Sequence, residues 1–118
     1  MTVSNRFIFD VDGTLTPSRQ KITDNFRRWF LEFCYSNYVY LVTGSDYSKT
    51  VEQLGKTICD NVECVYNCSG SDVYKRGKNT FTTDWILPED ARDWLNIKLD
   101  KNKFVLRTGN HIEERPGM

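Results

Sequence analysis

Twice near the start of this chain an apolar run stops at a short polar loop containing glycine, and apolar residues at helical spacing follow. Phe7-Ile8-Phe9 runs into Asp10 to Gly13, after which Ile22, Phe26, Trp29, Phe30 and Phe33 recur every few residues. Tyr38 to Val42 runs into Thr43-Gly44-Ser45-Asp46, and Tyr47, Val51, Leu54 and Ile58 repeat the helical period. Short runs rich in β-branched and aromatic residues read as buried strands, and a 3.6-residue period reads as a helix with one apolar stripe. Thr23 or Asp24 can cap the first helix. Val62 to Tyr66 supplies a third strand, so the order is β-α-β-α-β, the pattern of a parallel sheet with right-handed crossovers. Residues 1 to about 70 are expected to form a doubly wound α/β core.

The rhythm changes at Ser71. Val73-Tyr74-Lys75 and Lys78-Asn79-Thr80-Phe81 flank Arg76-Gly77 as a hairpin. Pro88 can open a helix in which Ala91, Trp94 and Leu95 share a face, and Phe104-Val105-Leu106 and His111-Ile112 flank Thr108-Gly109-Asn110 as another hairpin. The expected division is a core over 1–72 and an antiparallel α+β unit over 73–118. At 118 residues and 39% hydrophobic content the chain can bury one modest core. Its 16 basic and 16 acidic residues cancel, so no global field draws it to nucleic acid or to an anionic membrane. No apolar run is long enough to span a bilayer and the first residues lack a signal-peptide core, so the expected compartment is the cytoplasm. Cys34, Cys59, Cys64 and Cys68 contain no C-x-x-C pair, and the single histidine, His111, is remote; reduced thiols fit better than disulfides or zinc.

The chemistry concentrates where the first two strands end. Open α/β sheets bind ligands at the carboxyl edge of their strands. Asp10 and Asp12 stand there, two residues apart, so in an extended chain both face one side. Such a pair can share a Mg²⁺, with one carboxylate attacking phosphorus and the other moving a proton. The alternative is a solvated D-x-D-G turn. Thr43-Gly44-Ser45 offers a hydroxyl and exposed amides at a helix start, suited to a phosphoryl group. Helix capping by Ser45 or Asp46 accounts for the same residues and is compatible with phosphate binding.

These stretches resemble a known family. An apolar strand ending in D-x-D-G-T, with a second strand ending in a hydroxyl residue, resembles the haloacid dehalogenase superfamily of phosphotransferases. D-V-D-G-T-L-T-P-x-R at 10–19, T-G-S-D-x-x-K-x-x-E-Q-L-G at 43–55 and I-E-x-R-x-G-M at 112–118 resemble, in order, the eukaryotic-type phosphomannomutases. The resemblance implies a Rossmann-like haloacid dehalogenase core with an incomplete parallel sheet, followed by part of an antiparallel α+β cap. It implies Asp10 as a nucleophile that becomes an aspartyl phosphate and Asp12 as the acid/base, both contacting Mg²⁺, Asp12 through its backbone carbonyl. Thr43, Gly44 and Ser45 would bind phosphate. Arg19 and Arg115 would bind the phosphorylated hexose; without the resemblance each reads as a solvated surface arginine, as Arg107 does. Arginine suits the task because its planar fork stays charged and grips phosphate bidentately.

The implied reaction interconverts mannose 6-phosphate and mannose 1-phosphate, primed by a hexose bisphosphate and serving GDP-mannose biosynthesis, with pairing of two copies through the cap. The chain departs from the pattern in lacking later cap arginines, a core lysine and further acidic metal ligands, which implies the N-terminal portion of such a protein with little mutase activity alone. Cys68-Ser69-Gly70 stands where the family has an acidic-Asn-Gly turn, and Glu114 where it has an aromatic residue. Two other readings stay open: a phosphosugar phosphatase on the same scaffold, since failing to exclude water turns a mutase into a hydrolase, and a non-catalytic binding fragment.

Overall fold

The computed structural model describes residues 5–100 and 114–117. The second hairpin expected around Thr108-Gly109-Asn110, and with it Arg107 and His111, lies outside the described residues. The first three strands are β1 (Arg6–Asp10), β2 (Tyr38–Val42) and β3 (Cys64–Asn67), and they pair in parallel with Asp10 beside Val42 and Val42 beside Tyr66. Helix α1 (Asp24–Ser36) follows β1; α2 (Tyr47–Leu54) and α3 (Lys56–Asn61) follow β2. The single helix expected from Tyr47 to Ile58 is broken at Gly55, whose φ of 90° an L side chain rarely adopts.

All three helices cover one face of the sheet. Phe9, Val39, Leu41 and Val65 pack there against Phe30 and Cys34 of α1, Leu54 of α2 and Ile58 and Cys59 of α3. Phe9 meets Phe30 edge-on with ring centroids 5.5 Å apart, and Phe7 meets Phe33 the same way at 5.0 Å. The opposite face carries Ile8, which is 73% exposed, and Val42. The expectation of a doubly wound core is therefore corrected. Both crossovers move across the sheet in one direction, from β1 to β2 to β3, and right-handed crossovers in one direction place their helices on one side. Helices on both faces require the strand order to reverse.

The first-helix stripe is also narrower than the spacing suggests. Phe30 and Cys34 are buried, Trp29 lies outside at 58% exposure, and Ile22 is buried in the loop before the helix. Thr23 occupies the cap position without a side-chain hydrogen bond.

Antiparallel strands β4 (Asp72–Lys75) and β5 (Lys78–Thr82) extend the same sheet beyond β3, in the order β1-β2-β3-β4-β5. The hairpin expected around Arg76-Gly77 is present, and both turn residues have positive φ, 48° and 81°, as a two-residue I′-type turn requires. The boundary drawn between 72 and 73 falls inside β4, where the sheet is continuous. Tyr74 of β4 stacks on Tyr47 of α2, 8° from parallel, which fastens the hairpin to the helical layer. Helix α4 (Glu89–Asp100) begins just after Pro88, as expected, but none of its residues is buried and Trp94 is 58% exposed. An Arg92–Glu114 ion pair links it to the segment that carries Arg115. None of the four cysteines is in a disulfide; Cys34, Cys59 and Cys68 are buried and Cys64 is half-buried. Burial pushes the Cys34 and Cys59 thiols up to about 12.

Candidate phosphoryl-transfer site

At the carboxyl ends of β1 and β2 a cavity of about 650 Å³ opens, and its lining includes Asp10, Asp12, Arg19, Thr43, Gly44, Ser45 and Arg115. Every candidate site residue named from the sequence is thus brought to one place. The chain achieves this by turning sharply as soon as β1 ends. Val11 is fully buried and its carbonyl accepts from the amides of Thr14, Leu15 and Thr16, while Gly13, at φ 74°, donates to the Thr16 carbonyl. Leu15 is buried beneath this closed loop, so the loop is pinned to the core from below and presents its carboxylates outward.

Asp12 is the more constrained of the two acids. Its Oδ1 accepts from Gln53 Nε2 at 2.6 Å and from the Arg19 main-chain amide at 2.9 Å. The Gln53 hydrogen bond, more than any other influence, holds the Asp12 carboxyl below the usual carboxylate range, and the Arg19 amide adds to it. Arg19 itself has φ 58°, a strained conformation for a non-glycine residue, and its amide reaches Asp12 from there.

The second wall is the β2–α2 loop. Thr43 is 7% exposed and fixed at both ends of its peptide unit, its amide donating to the Tyr66 carbonyl at 3.0 Å and its carbonyl accepting from the Ser69 amide at 3.0 Å. Its Oγ1 accepts from the Ser45 amide at 3.1 Å, which leaves the hydroxyl proton available to a ligand. Gly44 has open space where a Cβ would stand, so it leaves the loop uncovered on the cavity side. Helix α2 is capped by Asp46, which accepts from the Lys49 amide at 2.8 Å and from Ser48 Oγ at 2.9 Å. Asp46 is the capping residue and Ser45 is left to the cavity. The Lys49 amide lowers the Asp46 carboxyl below its ordinary value.

Arg115 reaches the same loop from far along the chain, its Nη1 donating to the Gly44 carbonyl. The turn after β3 supports the loop from behind: Cys68 and Ser69 both take positive φ, 49° and 57°, and the Cys68 amide donates to the Ser45 carbonyl at 2.9 Å. The Cys-Ser-Gly departure thus adopts a left-handed turn despite having only one glycine.

Three residues that the sequence reading gave no role complete the setting. Gln53 and Thr50 stand three apart on the buried face of α2, at 3% and 0% exposure, and Lys49 lines the cavity with its Nζ 3.3 Å from Glu52. The signal was available in part, because polar residues at core-facing helical positions must find partners. Among the described residues no group of three or more His, Cys, Asp and Glu side chains converges as a metal site. The Asp10 carboxylate and the Asp12 backbone carbonyl are hard oxygen donors that suit Mg²⁺ in kind, and this ion commonly takes one or two carboxylates and completes its shell with water and substrate phosphate. No helix of the described residues is long and apolar enough to cross a membrane.

Comparison with known proteins agrees with this geometry. No protein-family profile matches the chain. The chain is 32% identical over 117 residues to phosphomannomutase from Saccharomyces cerevisiae and 40% identical over 119 residues to phosphomannomutase 1 from Mus musculus. Each alignment covers 94% of this chain, and 46% and 45% of the two relatives, so the chain spans about half the length of the curated relatives it matches. Among solved structures, a haloacid dehalogenase-like hydrolase from Bacteroides thetaiotaomicron superposes with a TM-score of 0.61 at 16% identity, over 84% of this chain and 38% of that one. An IMP-nucleotidase from Plasmodium falciparum superposes with a TM-score of 0.50 at 14% identity, over 83% and 33% of the two chains. These superpositions identify the fold as that of the haloacid dehalogenase superfamily.

Proposed function

We propose, for a chain homologous to the phosphomannomutases over 94% of its length, that it carries the phosphoryl-accepting half of a phosphosugar mutase site. The observation that supports this best is the gathering of Asp10, Asp12, Arg19, Thr43, Gly44, Ser45 and Arg115 around one cavity. In this reading a carboxylate oxygen of Asp10 attacks the phosphorus of a hexose bisphosphate. The P–O bond to the sugar breaks, Asp12 protonates the departing sugar oxygen, and an aspartyl phosphate is left on Asp10. In the second half-reaction Asp12 takes a proton from a free hydroxyl of a hexose monophosphate as that oxygen attacks the aspartyl phosphate, and the bond from phosphorus to Asp10 breaks.

The remaining residues bind and orient. Thr43 Oγ1 and the amides of the Gly44-Ser45 loop hold the transferring phosphoryl oxygens, and Arg19 and Arg115 grip the sugar phosphate. Asp10 and the Asp12 backbone carbonyl would hold Mg²⁺, which supplies charge neutralisation for the phosphoryl oxygens when bound. The Asp12 side chain, with Oδ1 engaged by two N–H donors, is then left to proton transfer.

A phosphatase reading stands beside it, since an aspartyl phosphate reached by water hydrolyses. Incubation with mannose 1-phosphate and Mg²⁺, with and without a hexose bisphosphate, separates the two. Bisphosphate-dependent formation of mannose 6-phosphate is the expected result. Free phosphate without mannose 6-phosphate would replace the mutase reading by the phosphatase one, and no turnover by either route would favour a binding role.

A further inference from the structure

Gln53 belongs to α2, not to either loop of the site, yet it is the side chain that holds the acid/base candidate. A primary amide buried on the core face of a helix must place its donors, and the Gln53 donors go to the same short segment. Nε2 donates to Asp12 Oδ1 at 2.6 Å and to the Gln20 carbonyl at 3.3 Å. The Gln53 main-chain carbonyl accepts from the Ile22 amide at 2.9 Å, so one helical residue fastens the segment at three points. Ile22 and Leu15 are buried on either side of these ties, which keeps the segment from sliding relative to α2.

We propose that Gln53 is a positioning residue that fixes the Asp12 carboxyl in one rotamer, with Oδ1 tied back to the loop and Oδ2 left for the proton of the sugar oxygen. The proposal rests on the reading of Asp12 as the acid/base. Gln53 touches neither phosphate nor sugar in it and acts only through Asp12. The Arg19 amide at 2.9 Å from the same oxygen is the second half of the clamp, so the orientation of Asp12 and the path of the arginine-bearing loop are set together. Misplacement of an acid/base group by about 1 Å costs on the order of 10²-fold in rate.

The first test needs no turnover. In isotope-labelled protein, a scalar coupling across the hydrogen bond from Gln53 Nε2 to Asp12 Cγ, together with Asp12 side-chain couplings of a single rotamer, is the expected result. In Gln53→Met the Asp12 couplings become averaged while the amide spectrum stays dispersed. Absence of the cross-bond coupling and averaged Asp12 couplings in the unsubstituted protein would overturn the proposal, whether or not the chain is active. The second test uses turnover: Gln53→Met lowers kcat on the order of 10²-fold with little change in KM. On an Asp12→Asn background the same substitution adds nothing. Equal losses on both backgrounds would assign Gln53 a purely structural role and contradict the proposal. A chain that turns over no phosphosugar would instead count against the reading of Asp12, and the couplings would still decide whether Gln53 holds it.

Discussion

Thr50 Oγ1 lies 3.0 Å from Asn67 Oδ1, a contact between two fully buried side chains that ties α2 to the end of β3. Asn67 in turn donates to the Asp72 carbonyl at 3.3 Å, so the tie continues into β4. Replacing Thr50 by Val keeps the shape and removes the hydroxyl, leaving a buried amide oxygen short of a donor. The expected loss is about 1–3 kcal/mol of stability, read from the urea midpoint. An unchanged midpoint would show that this pair does not brace the helix beneath the β2–α2 loop.

Asp46 caps α2 with the Lys49 amide as its main partner and Ser48 Oγ as a second. Asp46→Ala is expected to cost about 1 kcal/mol. The carboxyl sits below its ordinary 3.8 in the folded chain, chiefly because of the Lys49 amide. The unfolded chain therefore binds the proton more readily, so this contribution is fully present above pH 3.8 and is lost as pH falls through the lower folded value. Stability measured against Asp46→Asn, which caps without titrating, should show a gap between the two proteins that narrows in acid. A gap that widens below pH 3.8 would reverse the sign of the argument.

Much of this was legible in the residues. The strand ends at Asp10 and Thr43 could be found because strands and helices have different apolar periods, and a period change marks the loop between them. The Arg76-Gly77 hairpin was legible from turn chemistry. The break at Gly55 was not, because Val51, Leu54 and Ile58 keep the helical period across it, and a glycine inside such a pattern is ambiguous until its φ is known. That α1, α2 and α3 share one face was equally invisible, since winding depends on the order of strands in space. The core-facing position of Gln53 shows that it needs a partner but not which one, because Asp12 lies 41 residues away in sequence, a separation at which no local pattern reports contact.

Ile8 stands, 73% exposed, on the face that none of α1, α2 or α3 covers, beside Tyr40 in register. An exposed apolar face promotes association. Ile8→Lys should shift the protein toward monomer in sedimentation velocity while leaving the core side of β1, Phe7 and Phe9, untouched. Equal sedimentation of the two proteins would locate any association elsewhere.

Arg19 holds φ at 58°, where glycine is easier. Arg19→Gly removes that strain and keeps the amide that reaches Asp12, so stability should change by no more than about 1 kcal/mol. The guanidinium is lost, however, and KM for a hexose phosphate should rise about tenfold or more. A raised urea midpoint with unchanged KM would remove Arg19 from the substrate site. Arg19→Lys distinguishes charge from geometry, because lysine keeps the first and loses the planar fork.

In the proposed reaction Asp10 is the residue that accepts the phosphoryl group. The most direct measurement is acid-quenched incubation with a radiolabelled hexose bisphosphate and Mg²⁺, followed by peptide mapping. The expected label is one that hydroxylamine removes, carried by the peptide containing Asp10, and lost in Asp10→Asn but not in Arg19→Gly. A label on a serine, threonine or histidine, or one that persists in Asp10→Asn, would contradict it.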